Sequence, residues 1–219
     1  MKMMSMVIDS MPILADALGQ TLLLSLLAIV AAFLLGFILA EISILGGRWA
    51  AVLIRVLVEA IRGVPVLVFV LLTYYTLPML NIHVDKFVAG SAALSIFFAA
   101  FAAEIFRGAL KTIPRGQAES GKALGMTTWK IQMIVLLPQM VRIAIPALMN
   151  LAAIIIKCTS IVSIIGVWEL TLATNELVMR NMAPFTFFLV ALVLYFIICY
   201  SLVRAAHFLS LRLNRAQPS

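Results

Sequence analysis

The chain has 219 residues, of which 64% are hydrophobic and only 11% charged, with a net charge of +7 and a mean hydropathy of +1.16. A soluble domain carries about 25% charged residues, so there is too little charge here to coat a globule. That excludes an ordinary soluble enzyme, a disordered chain and a secreted disulfide scaffold. At roughly 20 apolar residues per crossing, the composition describes an all-α integral membrane protein of five or six helices with no room for a separate catalytic domain. The positive charge then suits loops facing an anionic leaflet rather than nucleic acid.

At the amino terminus Lys2 is the lone cation, and Asp9 and Asp16 precede the first long apolar stretch with no small-residue cleavage site close behind. The first span is therefore expected to stay in the mature protein. Ala17 to Ala40, Gly63 to Val84, Phe87 to Ala103 and Asn181 to Val203 carry no charge, and Ile143 to Trp168 carries just Lys157. These stretches predict a single transmembrane domain with five spans at about 17–41, 56–78, 87–110, 143–167 and 183–207. The run Ile131 to Val141 is too short to cross.

Five spans put the termini on opposite sides. One set of flanks holds Arg48, Arg55, Arg62, Arg107, Lys111, Arg115, Lys122, Lys130, Arg142, Arg204, Arg212 and Arg215, whereas the other holds Lys2, Lys86 and Arg180. The excess marks the cytoplasmic side, so the amino terminus is expected outside and the carboxyl terminus in the cytoplasm. Ala28, Ala32, Gly36 and Ala40 form a small-residue stripe on the first span, and Ala99, Ala100, Ala102 and Ala103 another on the third. Such stripes serve either close packing within the bundle or a subunit interface. Cys158 and Cys199 lie far apart with no metal-type spacing, so neither a disulfide framework nor a metal site is expected.

The one long polar insert, between the third and fourth spans, presents a segment over about 114–130. Ile113-Pro114-Arg115-Gly116 breaks the preceding helix, Gln117 to Leu124 reads as a short helix, and Gly125 stands where a terminating glycine belongs. Thr127 or Thr128 can cap the helix that follows. A membrane bundle has no packing need for such a helix, which points to a docking partner. Gly116 to Ala123 nearly spells a phosphate-binding loop. Ala123 lacks the hydroxyl for magnesium, however, Glu119 would sit inside the anion cradle, and no strand precedes it.

Glu119-Ser120-Gly121, Gly125 four residues on, and Val135-Leu136-Leu137-Pro138 resemble the "EAA" signature of permease subunits of bacterial ABC importers. Ser120 and Gly121 replace its two alanines and Val135 its isoleucine. Glu59-Ala60-Ile61-Arg62-Gly63-Val64-Pro65, Ala103-Glu104-Ile105-Phe106-Arg107-Gly108, Pro114-Arg115-Gly116-Gln117, Leu137-Pro138-Gln139 and Lys157-Cys158-Thr159-Ser160 are similar to the polar amino-acid branch, the histidine, glutamine, glutamate and arginine permease type. The resemblance covers about half of the chain. It implies the MetI-like bundle of type I importers in a bacterial inner membrane, and a non-catalytic subunit with no cofactor of its own. ATP and Mg would be bound by two copies of a cytoplasmic ATPase. It further implies a second permease subunit, identical or different, and an external amino-acid-binding protein. Gln117, Ala118, Glu119, Ser120, Gly121, Lys122, Ala123, Leu124 and Gly125 would form the coupling helix and its turn, seated in a cleft of the ATPase. Glu59, Arg62, Gly63, Pro65, Glu104, Arg107, Pro138 and Gln139 are its further motif positions.

Lys157 stands near the middle of the fourth span, where a lysine costs about 2.5–3.5 kcal/mol on insertion scales. Asn150 and Ser160 share its helical face, with Thr159 and Ser163 on an adjoining edge. The ammonium among these groups suits a substrate carboxylate, and the alternative is a structural ion pair, for instance with Glu104, or snorkelling. Cys158 stands where the family often has an acid, which favours an acidic or neutral polar amino acid as substrate over a basic one. Lone His83 reads as incidental, and Thr73, Tyr74, Tyr75 and Thr76 at the outer end of the second span read as an aromatic belt before a translocation mouth. Trp168 with Glu169 to Arg180 reads as a polar outer loop that contacts a substrate-binding protein or as an interfacial helix. An ion-coupled secondary transporter would need internal repeats and acidic ion sites. A membrane enzyme would need a nucleophile or metal set, and a passive assembly subunit would leave the EAA spacing unexplained.

Overall fold

A computed structural model of the chain describes the backbone over residues 2–214 and the side chains of residues 6–206 and 208. The side chains of Lys2 and Arg212 and all of Arg215, counted above among the flanking cations, lie outside the described residues. Every regular element among the described residues is helical: α1 (Lys2–Leu45), α2 (Gly47–Arg62), α3 (Val66–Met79), α4 (Lys86–Thr112), α5 (Arg115–Ala123), α6 (Thr128–Lys130), α7 (Leu137–Cys158), α8 (Leu170–Asn181) and α9 (Pro184–Asn214). A π-turn, Ile131–Leu136, joins α6 to α7, and a 3₁₀ stretch, Thr159–Ile165, follows α7.

Four helical runs are long and apolar enough to cross a membrane: Met6–Leu45, Lys86–Thr112, Thr128–Ile165 and Pro184–Ala206. The stretch expected as one span over 56–78 is not one helix. It is divided between α2 and α3, which meet at an angle of 103°. Pro65 offers no backbone N–H and drives the preceding residue out of helical conformation. The chain accordingly leaves α2 at Gly63 and re-enters helix after Pro65, whose ψ is 135°. α2 and α3 are long and apolar enough to cross only when taken together, as a bent pair.

The two small-residue stripes face each other. Ala28, Ala32 and Ala40 of α1 are buried, as are Ala99, Ala100, Ala102 and Ala103 of α4. A Cβ added to Gly36 would stand 2.5 Å from the Ala102 Cβ, 2.8 Å from the Ala99 carbonyl oxygen and 2.9 Å from the Ala103 nitrogen. Packing within the bundle thus accounts for both stripes, because helices without bulky seams bring their backbones close enough for dense dispersion contact. Phe97, Phe98 and Phe106 of α4 fill the core beside them, with Met140, Leu148 and Ile155 of α7. Outward faces stay apolar, as at Leu26 and Leu34 of α1 and Leu192 and Phe196 of α9, which suits a lipid solvent.

Ile131 to Val141 is the entry to α7 rather than a separate element. Pro138 would clash with the carbonyl four residues before it in a regular helix. That carbonyl belongs to Ile134, inside the wider π-turn, so the helical run continues through the proline.

The segment from Glu169 to Arg180 is not a polar loop: from Leu170 on it is helical, forming α8. Glu169 is fully buried and caps α8, accepting a hydrogen bond from the Leu172 amide at 2.9 Å, while Leu170, Ala173, Thr174 and Leu177 are buried behind it. Leu170 and Leu177 pack with Leu14 of α1 and Phe187 of α9. The Trp168 indole donates to Asp16 at 2.8 Å, tying the segment to the amino-terminal half of α1.

Candidate functional site

The polar insert holds the expected short helix, but α5 begins at Arg115, directly after Pro114, and takes in Arg115 and Gly116, two residues of the expected break. Pro114 precedes α5 with extended ψ, and Gly125 holds φ +73°. The Gly125 amide donates to the Lys122 carbonyl at 2.9 Å and the Met126 amide to the Gly121 carbonyl at 3.0 Å. That paired closure is a Schellman motif, which requires a left-handed residue and therefore favours glycine. Thr127 rather than Thr128 caps α6, its hydroxyl accepting from the Lys130 amide at 3.4 Å. Two turns thus bracket α5 and set its direction.

One face of α5 packs inward. Gly121 is buried against Ile131, and an added Cβ would meet Ile131 Cγ1 at 2.8 Å. Ala118 is half-buried; Gln117, Glu119, Ser120, Lys122, Ala123, Leu124 and Gly125 are exposed. Leu124 is an apolar side chain left 80% exposed at the tip. Gln139 donates to the Val135 carbonyl at 2.8 Å and reaches Gln117 at 3.5 Å, so two of the motifs meet in space. The exposed surface mixes the Glu119 carboxylate, the cations Arg115 and Lys122, the Gln117 amide, small side chains and a leucine, a combination suited to a protein groove.

The pathway candidates separate into two cavities. Lys157 and Ser160 line one of about 370 Å³ with Thr171, Thr174, Phe188, Ala191, Leu192 and Tyr195. Asn150 lines another of about 360 Å³ with Arg62, Phe101, Glu104, Ile105, Ala147, Leu151 and Ile154. Asn150 and Lys157 do share a face of α7, but two turns of helix separate them by about 10 Å, enough to open onto different spaces. Thr159 does not face either cavity: it is fully buried and donates to the Ile156 carbonyl at 2.7 Å. Ser160 and Ser163 donate to the Lys157 and Ser160 carbonyls, local bonds of the 3₁₀ stretch.

The alternative pairing of Lys157 with Glu104 is not found. Glu104 binds Arg107, with Oε2 2.5 Å from Nη2 and 3.1 Å from Nε. Lys157 is exposed on this chain and has no ion-pair partner among the described residues. Of the remaining motif positions, Arg62 lies over the Phe101 ring at 5.1 Å, Glu59 and Gly63 are exposed, and Pro65 starts α3. Arg62 and Glu104 therefore join Asn150 as polar groups around one cavity, a grouping that linear spacing does not reveal.

A second group escaped the sequence. Tyr195 of α9 donates to Glu169 at 2.8 Å and contacts the Thr171 hydroxyl at 3.1 Å, while the Leu170 amide donates to the Thr21 hydroxyl at 3.0 Å. Burial pushes the Glu169 carboxyl above its ordinary value, against the opposing pull of hydrogen bonds from Thr171, Tyr195 and Leu172. Residues 26 apart on different helices leave no periodic signal.

Residues 32–215 match the family model described as "Binding-protein-dependent transport system inner membrane component". The chain belongs to this family. It is a multi-pass membrane subunit of a transport system that works with a binding protein, and the family implies an ATPase partner beside it. It is 36% identical over 212 residues to the L-cystine transport system permease protein TcyB of Bacillus subtilis, covering 93% of this chain and 88% of that one. It is 34% identical over 191 residues to the glutamine transport system permease protein GlnP of Escherichia coli, covering 86% and 87%. Among solved structures, an amino acid ABC transporter crystallised with histidines superposes with a TM-score of 0.87 at 28% identity, over 94% of this chain and 96% of that one. The inward-facing MetNI methionine ABC transporter shares the fold, with a TM-score of 0.82 at 19% identity over 94% and 98%.

Proposed function

We propose that this permease subunit imports polar amino acids into the cytoplasm, driven by ATP hydrolysis on a partner that grips α5. The observation that carries the reading is α5 itself: a short helix fixed by a proline start, a Schellman turn and the Gly121–Ile131 contact, with Glu119 and Leu124 facing outward. Such a helix cannot absorb a push by local bending, so motion of the partner passes to α7 and the spans. Glu119 is the polar contact, flanked on the exposed face by the small side chains of Ser120 and Ala123, which admit a narrow groove.

In this reading two ATPase copies bind ATP and Mg, and two permease subunits, identical or different, enclose one pathway. An extracytoplasmic binding protein delivers substrate to the outer side, where the amino terminus lies; the carboxyl terminus and α5 are cytoplasmic. Closure of the ATPases around nucleotide rocks the bundles outward-open, and hydrolysis resets them. Lys157, which lines its cavity with Ser160 and Tyr195, offers an ammonium to a carboxylate of an acidic or neutral polar amino acid. Relatives named for cystine, arginine and glutamine support the polar amino-acid class. Thr159 and Ser163 shape the 3₁₀ stretch behind that wall, and Asn150 with Arg62 lines a separate stage of the pathway.

The test is Glu119→Lys in the reconstituted complex. It is expected to insert and assemble like wild type while uptake is abolished. Wild-type uptake by that variant would remove α5 from the coupling role.

A further inference from the structure

We propose that Glu41 and Gln132 are positioning residues that clamp α1 to the π-turn behind α5, so that α1 is carried along when α5 moves. The inference rests on the coupling role of α5. Gln132 Nε2 donates to both carboxyl oxygens of Glu41, at 3.1 and 3.2 Å, across 91 residues of sequence. Glu41 is 9% exposed and Gln132 2%. A carboxyl buried among apolar helices is costly unless hydrogen-bonded, and a pair of this kind does more for geometry than for net stability, since apolar packing could replace it at similar free energy.

The position of the pair gives that geometry a use. Gln132 is the second residue of the π-turn Ile131–Leu136, and the first, Ile131, is the side chain against which Gly121 of α5 is packed. One turn thus holds α5 through an apolar contact and α1 through a polar one. π-Turns interrupt the regular helical ladder and recur at functional sites. Glu41 follows Ala40, the end of the buried stripe that locks α1 onto α4. A shift of α5 therefore reaches α1 directly, by a route separate from the covalent one along α7.

The experiment uses the complete complex of permease, ATPase partner and binding protein in proteoliposomes, supplied with an equimolar mixture of radiolabelled polar L-amino acids. Assembly, basal ATP hydrolysis and uptake per ATP are measured for Glu41→Leu, Gln132→Leu, Glu41→Gln, the double swap Glu41→Gln with Gln132→Glu, and Glu119→Lys. The two leucine variants are expected to assemble and hydrolyse ATP, with uptake per ATP falling severalfold because each leaves the remaining partner of the buried pair without its hydrogen bond. Glu41→Gln keeps an amide-to-amide bond and most of the coupling, and the double swap restores what Gln132→Leu loses. Leucine variants that couple like wild type, beside an inactive Glu119→Lys, would overturn the clamp and leave the role of α5 standing. Normal uptake by Glu119→Lys would overturn both. If the leucine variants fail to assemble, the double swap decides: an assembled swap with normal uptake per ATP supports the clamp, and one with uncoupled hydrolysis or no assembly overturns it.

Discussion

Adding one methyl group at Gly36 tests how the whole bundle is held. In Gly36→Ala the new Cβ meets the Ala102 Cβ at 2.5 Å, the Ala99 oxygen at 2.8 Å and the Ala103 nitrogen at 2.9 Å. Two of the three obstacles are backbone, so no rotamer change relieves them; α1 and α4 must separate by roughly 1 Å to regain ordinary contact. A gap of that size forfeits about a quarter to a half of each dispersion well along the seam. Ala28, Ala32 and Ala40 all lie on it. Overpacking costs typically about 1–3 kcal/mol, and the backbone obstacles place this case near the top, about 3 kcal/mol. For a chain of this length that is a drop of roughly 6–12 °C in midpoint, measured as the fraction remaining monodisperse in detergent on heating. Gly36→Leu should fail to yield an assembled bundle. Gly36→Ala combined with Ala102→Gly removes the shortest contact and should recover part of the loss. A Gly36→Ala midpoint equal to wild type would refute the close approach of α1 to α4.

Other consequences follow from single residues. Gly125→Val places a β-branched residue at φ +73° and should cost at least about 1–2 kcal/mol; uptake should fall more than in Gly125→Asn, since asparagine tolerates that region, and equal uptake by the two would refute the role of the turn. Because burial raises the Glu169 carboxyl above its ordinary 4.5, the folded chain binds that proton more tightly than the unfolded one. The stabilisation is then complete below pH 4.5 and is lost as pH rises through the raised value. Thermal midpoints should fall across this window in wild type and stay flatter in Glu169→Gln; parallel curves would refute the assignment. Lys157→Ala should weaken competition by acidic and neutral polar amino acids in an uptake panel, and an unchanged panel would remove Lys157 from the substrate path.

The legible parts were those whose signal is local in the chain. Charge-free length marks the crossings because each unpaired charge in hydrocarbon is expensive, and Pro114, Gly125 and Thr127 each act on their own few residues. The bend at Gly63–Pro65 had a local signal too, but an apolar window runs straight through it. Asn150 and Lys157 illustrate the opposite limit: a shared helical face is readable, whereas the spaces onto which it opens depend on which helices stand opposite. Glu169 reads as part of a polar outer loop or an interfacial helix, because nothing beside it along the chain announces Tyr195, 26 residues on, closing over it.

By itself, the amino-acid sequence determined the solvent of this protein, its helical class, the position of α5 and the small-residue stripes, since hydropathy, charge and turn chemistry act over a few residues. The tertiary structure decided what those features touch: that the stripes meet each other, that Lys157 and Asn150 part company, and that Glu41 finds Gln132. Burial and pairing across 91 residues depend on how helices stack, and helix stacking is a property of all the surfaces together.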